Sequence, residues 1–141
     1  MTTIAYDGKT MCADTLMTCN GTRIGYVSKM ERVPDGVVGY AGTVSDCQLV
    51  IEWMRGGMKK KDRPELSSTA DVGIIYVKNT GEVFLVDEGL MPYPTCVPCA
   101  EGSGADFALA AMHLGKTSKQ AVKLAIKLDC YSGGAIQEET P

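Results

Sequence analysis

The sequence predicts an α+β fold in which antiparallel sheets are covered by helices. Three observations predict it. Turn residues join neighbouring strand patterns as hairpins, helical periodicity is confined to stretches between and after those pairs, and no strand-helix-strand alternation is present to build a parallel sheet. The 141 residues fit one domain, 1–141, long enough to bury roughly two-thirds of the surface its unfolded form exposes.

TTIAY over 2–6 and KTMCA over 9–13 flank Asp7-Gly8, and Asp-Gly between two apolar runs marks a hairpin. The run RIGYVSKMERV over 23–33 reads as a strand that turns at Pro34-Asp35-Gly36 and returns as VVGYAG over 37–42. After Gly42 the period changes. Cys47, Leu49, Val50, Ile51, Trp53 and Met54 crowd a helical face, with Ser45 placed to cap it and Gly56-Gly57 to stop it. Residues 58–68 read as loop. Two further strands, 71–78 and 82–89, meet at Asn79-Thr80-Gly81. A proline-rich stretch over 91–100 leads into Glu101-Gly102-Ser103-Gly104. From Ala105 the apolar positions Phe107, Ala108, Ala111, Met112 and Leu114 recur at helical spacing up to Gly115. Ser118 is placed to cap a last helix carrying Val122, Leu124, Ala125, Ile126 and Leu128, and a strand is expected at SGGA, 132–135. There is no internal repeat, low-complexity tract or linker.

Lys and Arg number 14 against 17 Asp and Glu, for a net charge of −3. No basic field is present to attract nucleic acid or anionic lipid. The basic run MKKKDR, 58–63, sits among Gly, Pro and Ser and reads as a solvated loop. No apolar stretch approaches the ~20 residues that span a bilayer. The start lacks the basic-then-apolar pattern of a secretory leader, so a cytoplasmic protein is expected. Six cysteines in such a chain read as reduced thiols. Cys12, Cys19, Cys47 and Cys130 are expected in packing. Cys96 and Cys99 form CVPC, for which zinc, redox and plain loop readings compete. A structural zinc site needs about four ligands, and the one histidine, His113, lies on a helical pattern without a second cysteine pair. A redox pair should open a helix, whereas EGSG follows. A loop entering a strand is expected there, with no metal and no cofactor.

The opening MTT raises a chemical question. A threonine hydroxyl is a poor nucleophile unless a base takes its proton. An N-terminal threonine carries such a base as its own α-amine, which titrates at ~7.7 to 8.0, near working pH. While Met1 precedes Thr2 that nitrogen is an amide and the base does not exist. A neighbouring ammonium would lower proton affinity there, a carboxylate would have to hold that ammonium, and backbone N–H groups would have to receive an oxyanion.

The segments TTIAYDGKTMCAD, VSKMERV, GYAGTVSD, EGSGADFALAA and DCYSGGA together resemble, in the same order, the proteasome β-subunit and its bacterial relative HslV, threonine peptidases of the N-terminal-nucleophile hydrolase class. The paired threonines with Asp14 downstream, and DCYSGG, carry most of that resemblance, which runs from Thr2 to about Gln137. It implies a four-layer αββα sandwich of two antiparallel sheets flanked by helices. It also implies Thr2 as nucleophile, Asp14 as the carboxylate orienting Lys29, Lys29 as the ammonium beside the nucleophile, and Gly42 as the N–H of the oxyanion hole. Ser103, Asp129 and Ser132 are implied as the cluster supporting the amine. Peptide or unfolded polypeptide as substrate, a ring-like homo-oligomer and an ATPase unfoldase as partner follow from the same resemblance. Without it, Asp14 is a strand-end carboxylate, Lys29 an exposed strand residue and Ser103 a turn residue. Asp129 is harder to dismiss, because a carboxylate at a helix C-terminus opposes the dipole and needs another partner.

The sequence departs from that pattern in places. Between Asp46 and Asp71 there is room for one short helix where the family has two long ones. The chain stops soon after SGGA, and Thr43 follows Gly42 where relatives often have glycine, which is expected to narrow the substrate cleft. Two functions are weighed: a compact threonine endopeptidase activated by removal of Met1, and a silent structural protein that keeps Met1. Substitution of Thr2 or Lys29 by alanine is expected to abolish cleavage and leave folding nearly unchanged.

Overall fold

The computed structural model describes residues 2–141; the state of Met1 lies outside them. In chain order the elements are β1 (Ile4–Tyr6), β2 (Met11–Ala13), β3 (Leu16–Cys19), β4 (Thr22–Tyr26), β5 (Met30–Val33), β6 (Gly36–Gly42), α1 (Val44–Arg55), β7 (Val72–Lys78), β8 (Val83–Asp87), β9 (Tyr93–Pro94), β10 (Cys99–Glu101), α2 (Ala105–His113), α3 (Ser118–Leu128) and β11 (Gln137–Glu139). One antiparallel sheet has the order β10-β1-β2-β11 and another the order β5-β6-β7-β8-β9, while β3 and β4 form a separate two-stranded ribbon. None of the helices described is long and apolar enough to cross a membrane.

Strand side chains alternate between faces, so the core clusters define the layers. Ile4, Tyr6, Met11 and Ala13 meet Val37, Ala41, Ile75 and Val77 between the two sheets. The opposite face of the first sheet, Ala5 and Cys12, packs under Ala108, Ala111, Ala121, Val122 and Ala125 of α2 and α3. The far face of the second sheet, Val38, Tyr40, Ile74 and Tyr76, is covered by Cys47, Val50, Ile51, Trp53 and Met54 of α1. The result is the expected αββα stack. Small residues are concentrated where α2 and α3 lie on the first sheet, and this lets the helices approach it closely.

The hairpins expected at Asp7-Gly8, Pro34-Asp35 and Asn79-Thr80-Gly81 are present. Residues 23–33 are not one strand. Asn20 and Gly21, both at positive φ (49° and 79°), fold β3 back on β4, and an Asn-Gly pair readily takes that conformation. The chain then leaves the ribbon, with the Val27 N–H donating to Thr15 O at 2.8 Å, before β5 begins.

Both helix starts differ from expectation. Thr43, without a side-chain bond, occupies the N-cap of α1 in place of Ser45. Thr117 caps α3 in a reciprocal capping box with Gln120, and this pairing selects it over Ser118. Ser118 is buried instead, its N–H on Asp7 Oδ2 at 2.9 Å. One α-helix and a 3-10 turn at Lys60–Asp62 fill the stretch where one short helix was expected. No strand forms at SGGA; the last strand begins at Gln137. All six cysteines are free thiols. Cys12 and Cys47 are buried as expected, but Cys19 and Cys130 are exposed, because the first ends a ribbon strand and the second follows α3. CVPC is a loop entering β10, and burial pushes the Cys99 thiol up to about 12, the opposite of a redox-active thiol.

Candidate active site

Every residue singled out from the sequence lies near one end of the two central sheets. Thr2 precedes β1 and Asp14 follows β2, while Lys29 precedes β5, Gly42 ends β6 and Ser103 sits in the turn between β10 and α2. Asp129 is the C-cap of α3, and Ser132 lies three residues beyond it. Thr2, Asp14, Lys29, Asp129 and Ser132 are all buried. An exposed-strand reading of Lys29 is therefore excluded, since it is 3% accessible.

Two hydrogen-bonded arms make up the site. In the first, Asp14 Oδ1 accepts from Lys29 Nζ at 2.9 Å and from the Thr3 N–H at 2.9 Å. Its Oδ2 accepts from the Gly133 N–H at 2.9 Å and the Leu16 N–H at 3.3 Å. The carboxylate is thus fixed by three backbone donors from three separate segments, and Oδ1 is shared between one of them and the ammonium. Burial pulls the Lys29 ammonium below its ordinary range, against the attraction of Asp14 and Asp129. Such a group is a compact positive charge that gives up its proton more readily than a surface lysine.

In the second arm, Asp129 Oδ2 accepts from Ser103 Oγ at 2.6 Å and from Ser132 Oγ at 2.6 Å, and Oδ1 accepts from the Tyr131 N–H at 3.2 Å. These are the partners that a carboxylate at a helix C-terminus needs. Burial works to raise the Asp129 pKa, and the hydrogen bonds from Ser103, Ser132 and Tyr131 outweigh it, holding the carboxyl below the usual range. Ser103 Oγ in turn accepts from the Thr2 nitrogen at 3.2 Å, so the arm ends on residue 2. The Gly104 N–H fixes the carbonyl of Thr2 at 3.2 Å. Gly102, at φ 100°, could not be replaced without its Cβ striking that same carbonyl.

Gly42 completes the geometry through its backbone. Thr43 N–H donates to Asp71 O at 2.7 Å, which makes 43/71 a hydrogen-bonded pair and 42/72 the intervening pair, whose N–H groups point away from each other. Two residues earlier, the Tyr40 N–H points to the β5 side and reaches Lys29 O at 2.9 Å. The Gly42 N–H faces the same side, where Val27 has already turned away to Thr15. A Cβ at Gly42, φ 115°, would collide with the Asp71 carbonyl oxygen.

Thr2 lies between two openings. One, about 240 Å³, is lined by Thr2, Gly42, Asp71, Gly73, Glu101 and Ser103. A much smaller one, about 40 Å³, lies against Thr2, Met17, Lys29, Tyr40, Gly42 and Val44. In the larger, burial and then the Asp71 charge raise the Glu101 pKa. Sequence reading missed Glu101 and Asp71, which look like ordinary turn and strand-start residues. It also missed Thr3, although the paired threonines were its clue. A hydroxyl at residue 2, a nearby ammonium, a hydrogen-bonded chain on the residue 2 nitrogen and a backbone N–H facing the same cleft are together the parts of an acyl-transfer site.

No protein-family model matches the chain, and no curated protein matches it in sequence. Solved structures do match. Eukaryotic HslV from Trypanosoma brucei superposes with a TM-score of 0.74 at 19% identity, covering 98% of this chain and 97% of that one. BPH of Thiobacillus denitrificans, in complex with epoxomicin, superposes with a TM-score of 0.70 at 20% identity, covering 99% of this chain and 97% of that one. A second structure of the same BPH gives 0.70 at 20% identity, with 99% and 96% covered. The chain has the fold of HslV and BPH from end to end.

Proposed function

We propose that this chain is a threonine-type peptidase whose nucleophile is the Thr2 hydroxyl, available once Met1 has been removed. The observation that carries the reading is the connection of the residue 2 nitrogen through Ser103 to Asp129, with Lys29 held by Asp14 on the same cleft. The freed Thr2 amine takes the proton from Thr2 Oγ as the oxygen bonds to the scissile carbonyl carbon. The Gly42 N–H donates to the oxyanion. The C–N bond then breaks, the leaving amine takes the proton from the Thr2 ammonium, and an ester on Thr2 remains. Water adds to that ester with the same amine as base, which releases the acid and restores the hydroxyl. Lys29 stays charged beside the amine and disfavours its protonated form. Asp129 and Ser103 orient it.

The substrate class proposed is unfolded polypeptide or peptide, in the cytoplasm, within a self-compartmentalising homo-oligomer served by an ATPase unfoldase. The likeness in fold to HslV supports this, as do the apolar Ile24, Tyr26, Leu124 and Leu128 left exposed on the ribbon and α3. The test is incubation of Met1-free protein with epoxomicin, an epoxyketone whose adduct needs both hydroxyl and free amine. A covalent mass shift located on Thr2, absent from Thr2→Ala and from protein that keeps Met1, is the expected result. No adduct in any assembly state would overturn the proposal.

A further inference from the structure

Thr3 is fully buried and touches both arms of the site. Its N–H and Lys29 Nζ share one oxygen, Asp14 Oδ1, each at 2.9 Å. Its carbonyl accepts from the Asp14 N–H at 3.1 Å, so the backbone of Thr3 is clamped to Asp14 from both sides. Its hydroxyl lies 2.6 Å from Ser132 Oγ. An ionised carboxylate can only accept, so the Ser132 proton is committed to Asp129 Oδ2 at 2.6 Å. The Thr3 hydroxyl is therefore the donor to Ser132. Directly beside it Gly104 carries no side chain, and any Cβ there would collide with Thr3 Oγ1. The hydroxyl sits in a slot that a hydrogen atom at position 104 leaves open.

We propose that the Thr3 hydroxyl is a positioning group for the Thr2 site: by fixing Ser132 it keeps Asp129 aimed at Ser103 and so at the Thr2 nitrogen, while its N–H ties that arm to the Lys29–Asp14 pair. The kinetic part of this rests on the reading of Thr2 as nucleophile; the structural part does not. A buried threonine with its hydroxyl merely satisfied would behave differently. Removing the donor frees Ser132 Oγ to rotate and weakens its hold on the ionised carboxylate, so Asp129 should keep its proton to higher pH. Lys29 is the charged side chain that senses Asp129 across the site, and Asp14 holds it in place.

The variants are Thr3→Val, which keeps shape without the hydroxyl, and Thr3→Ser, which keeps the hydroxyl. Each is prepared without Met1 and read by carboxyl-carbon NMR titration of Asp129 and by peptide turnover. In Thr3→Val the Asp129 titration should move to higher pH and kcat should fall roughly tenfold, the scale of a modest loss of alignment, with KM little changed. Thr3→Ser should restore both. An unmoved Asp129 titration in Thr3→Val, or no restoration in Thr3→Ser, overturns the proposal. Should Thr3→Val not fold, Thr3→Cys, a weaker donor of similar size, carries the same comparison. Wild-type protein without turnover whose Asp129 titration still depends on Thr3 would defeat the peptidase reading and support the positioning role. Turnover with Asp129 unmoved would defeat the positioning role alone.

Discussion

Asp14 and Lys29 form a buried ion pair in which Asp14 also holds three backbone donors, and the worth of those donors is measurable. Lys29 Nζ and Asp14 Oδ1 are 2.9 Å apart, with side chains 4% and 0% accessible. Asp14 also accepts three backbone N–H groups, from Thr3, Leu16 and Gly133. Replacing Lys29 by methionine removes one charge but leaves Asp14 its three donors and keeps the apolar stem. The cost should be that of a hydrogen bond to a charged group, about 1.5–3 kcal/mol. Replacing Asp14 by alanine takes the carboxylate away from a buried ammonium, about 3–5 kcal/mol, and orphans buried N–H groups at about 1–3 kcal/mol for each that water does not reach. Together these approach the whole stability of an ordinary domain, about 5–15 kcal/mol. Urea unfolding of Lys29→Met, Asp14→Ala and the double variant is the assay. Asp14→Ala should be the less stable single variant, by about 1 kcal/mol or more for each N–H it orphans, or fail to fold. The double variant should recover part of that loss, because it no longer buries an ammonium without the Asp14 carboxylate. A Lys29→Met variant as unstable as Asp14→Ala, or strictly additive losses, would refute the reasoning. The same assay tests the expectation that Lys29 can be removed with folding nearly unchanged.

The raised pKa of Glu101 means that its ionised form is disfavoured in the folded state. The stability it supports is present in acid, below its unfolded value, and is lost as pH rises through the folded one. Glu101→Gln should therefore melt at a higher temperature than the parent at neutral pH, with the gap closing as pH falls into the carboxylate range; a constant gap would contradict that assignment. Gly42→Ala should lower the melting temperature, since positive φ and the approach of the Asp71 carbonyl both oppose a Cβ. A cost of about 1–3 kcal/mol is the scale for such backbone strain, and an unchanged thermal midpoint would count against the backbone placement that aims the Gly42 N–H.

Much of the fold was legible in the sequence because its turns are written in residue chemistry. Asp7-Gly8, Pro34-Asp35 and Asn79-Thr80-Gly81 gave three hairpins, and the strands between them read as nearly continuous apolar runs because both of their faces are covered. The ribbon was missed although Asn20-Gly21 announced it, because the mixed run 23–33 reads equally well as one long strand. The helix caps were misplaced by one or two residues: Ser and Thr compete as caps, and at α3 the Gln120 side chain, three residues beyond Thr117, decides between neighbours. Residue types at the site were recognised jointly, by order and motif. Burial of Lys29 was not recognisable, since it depends on Asp14 and Gln137, which approach it from other strands. Thr3 escaped for a similar reason. Its hydroxyl has meaning only once Ser132 stands beside it.

That separation has a consequence in time. Thr3 and Ser132 are 129 positions apart, Asp14 and Gly133 are 119 apart, and Thr2 and Ser103 are 101 apart. Contacts this distant form late, because chain entropy opposes closing such long loops. A half-made chain thus carries Thr2 with Asp14 and Lys29, 15 positions apart, but lacks Ser103, Asp129 and Ser132. On the peptidase reading proposed above, cutting power would arrive with the finished molecule, after its own loose segments had been put away.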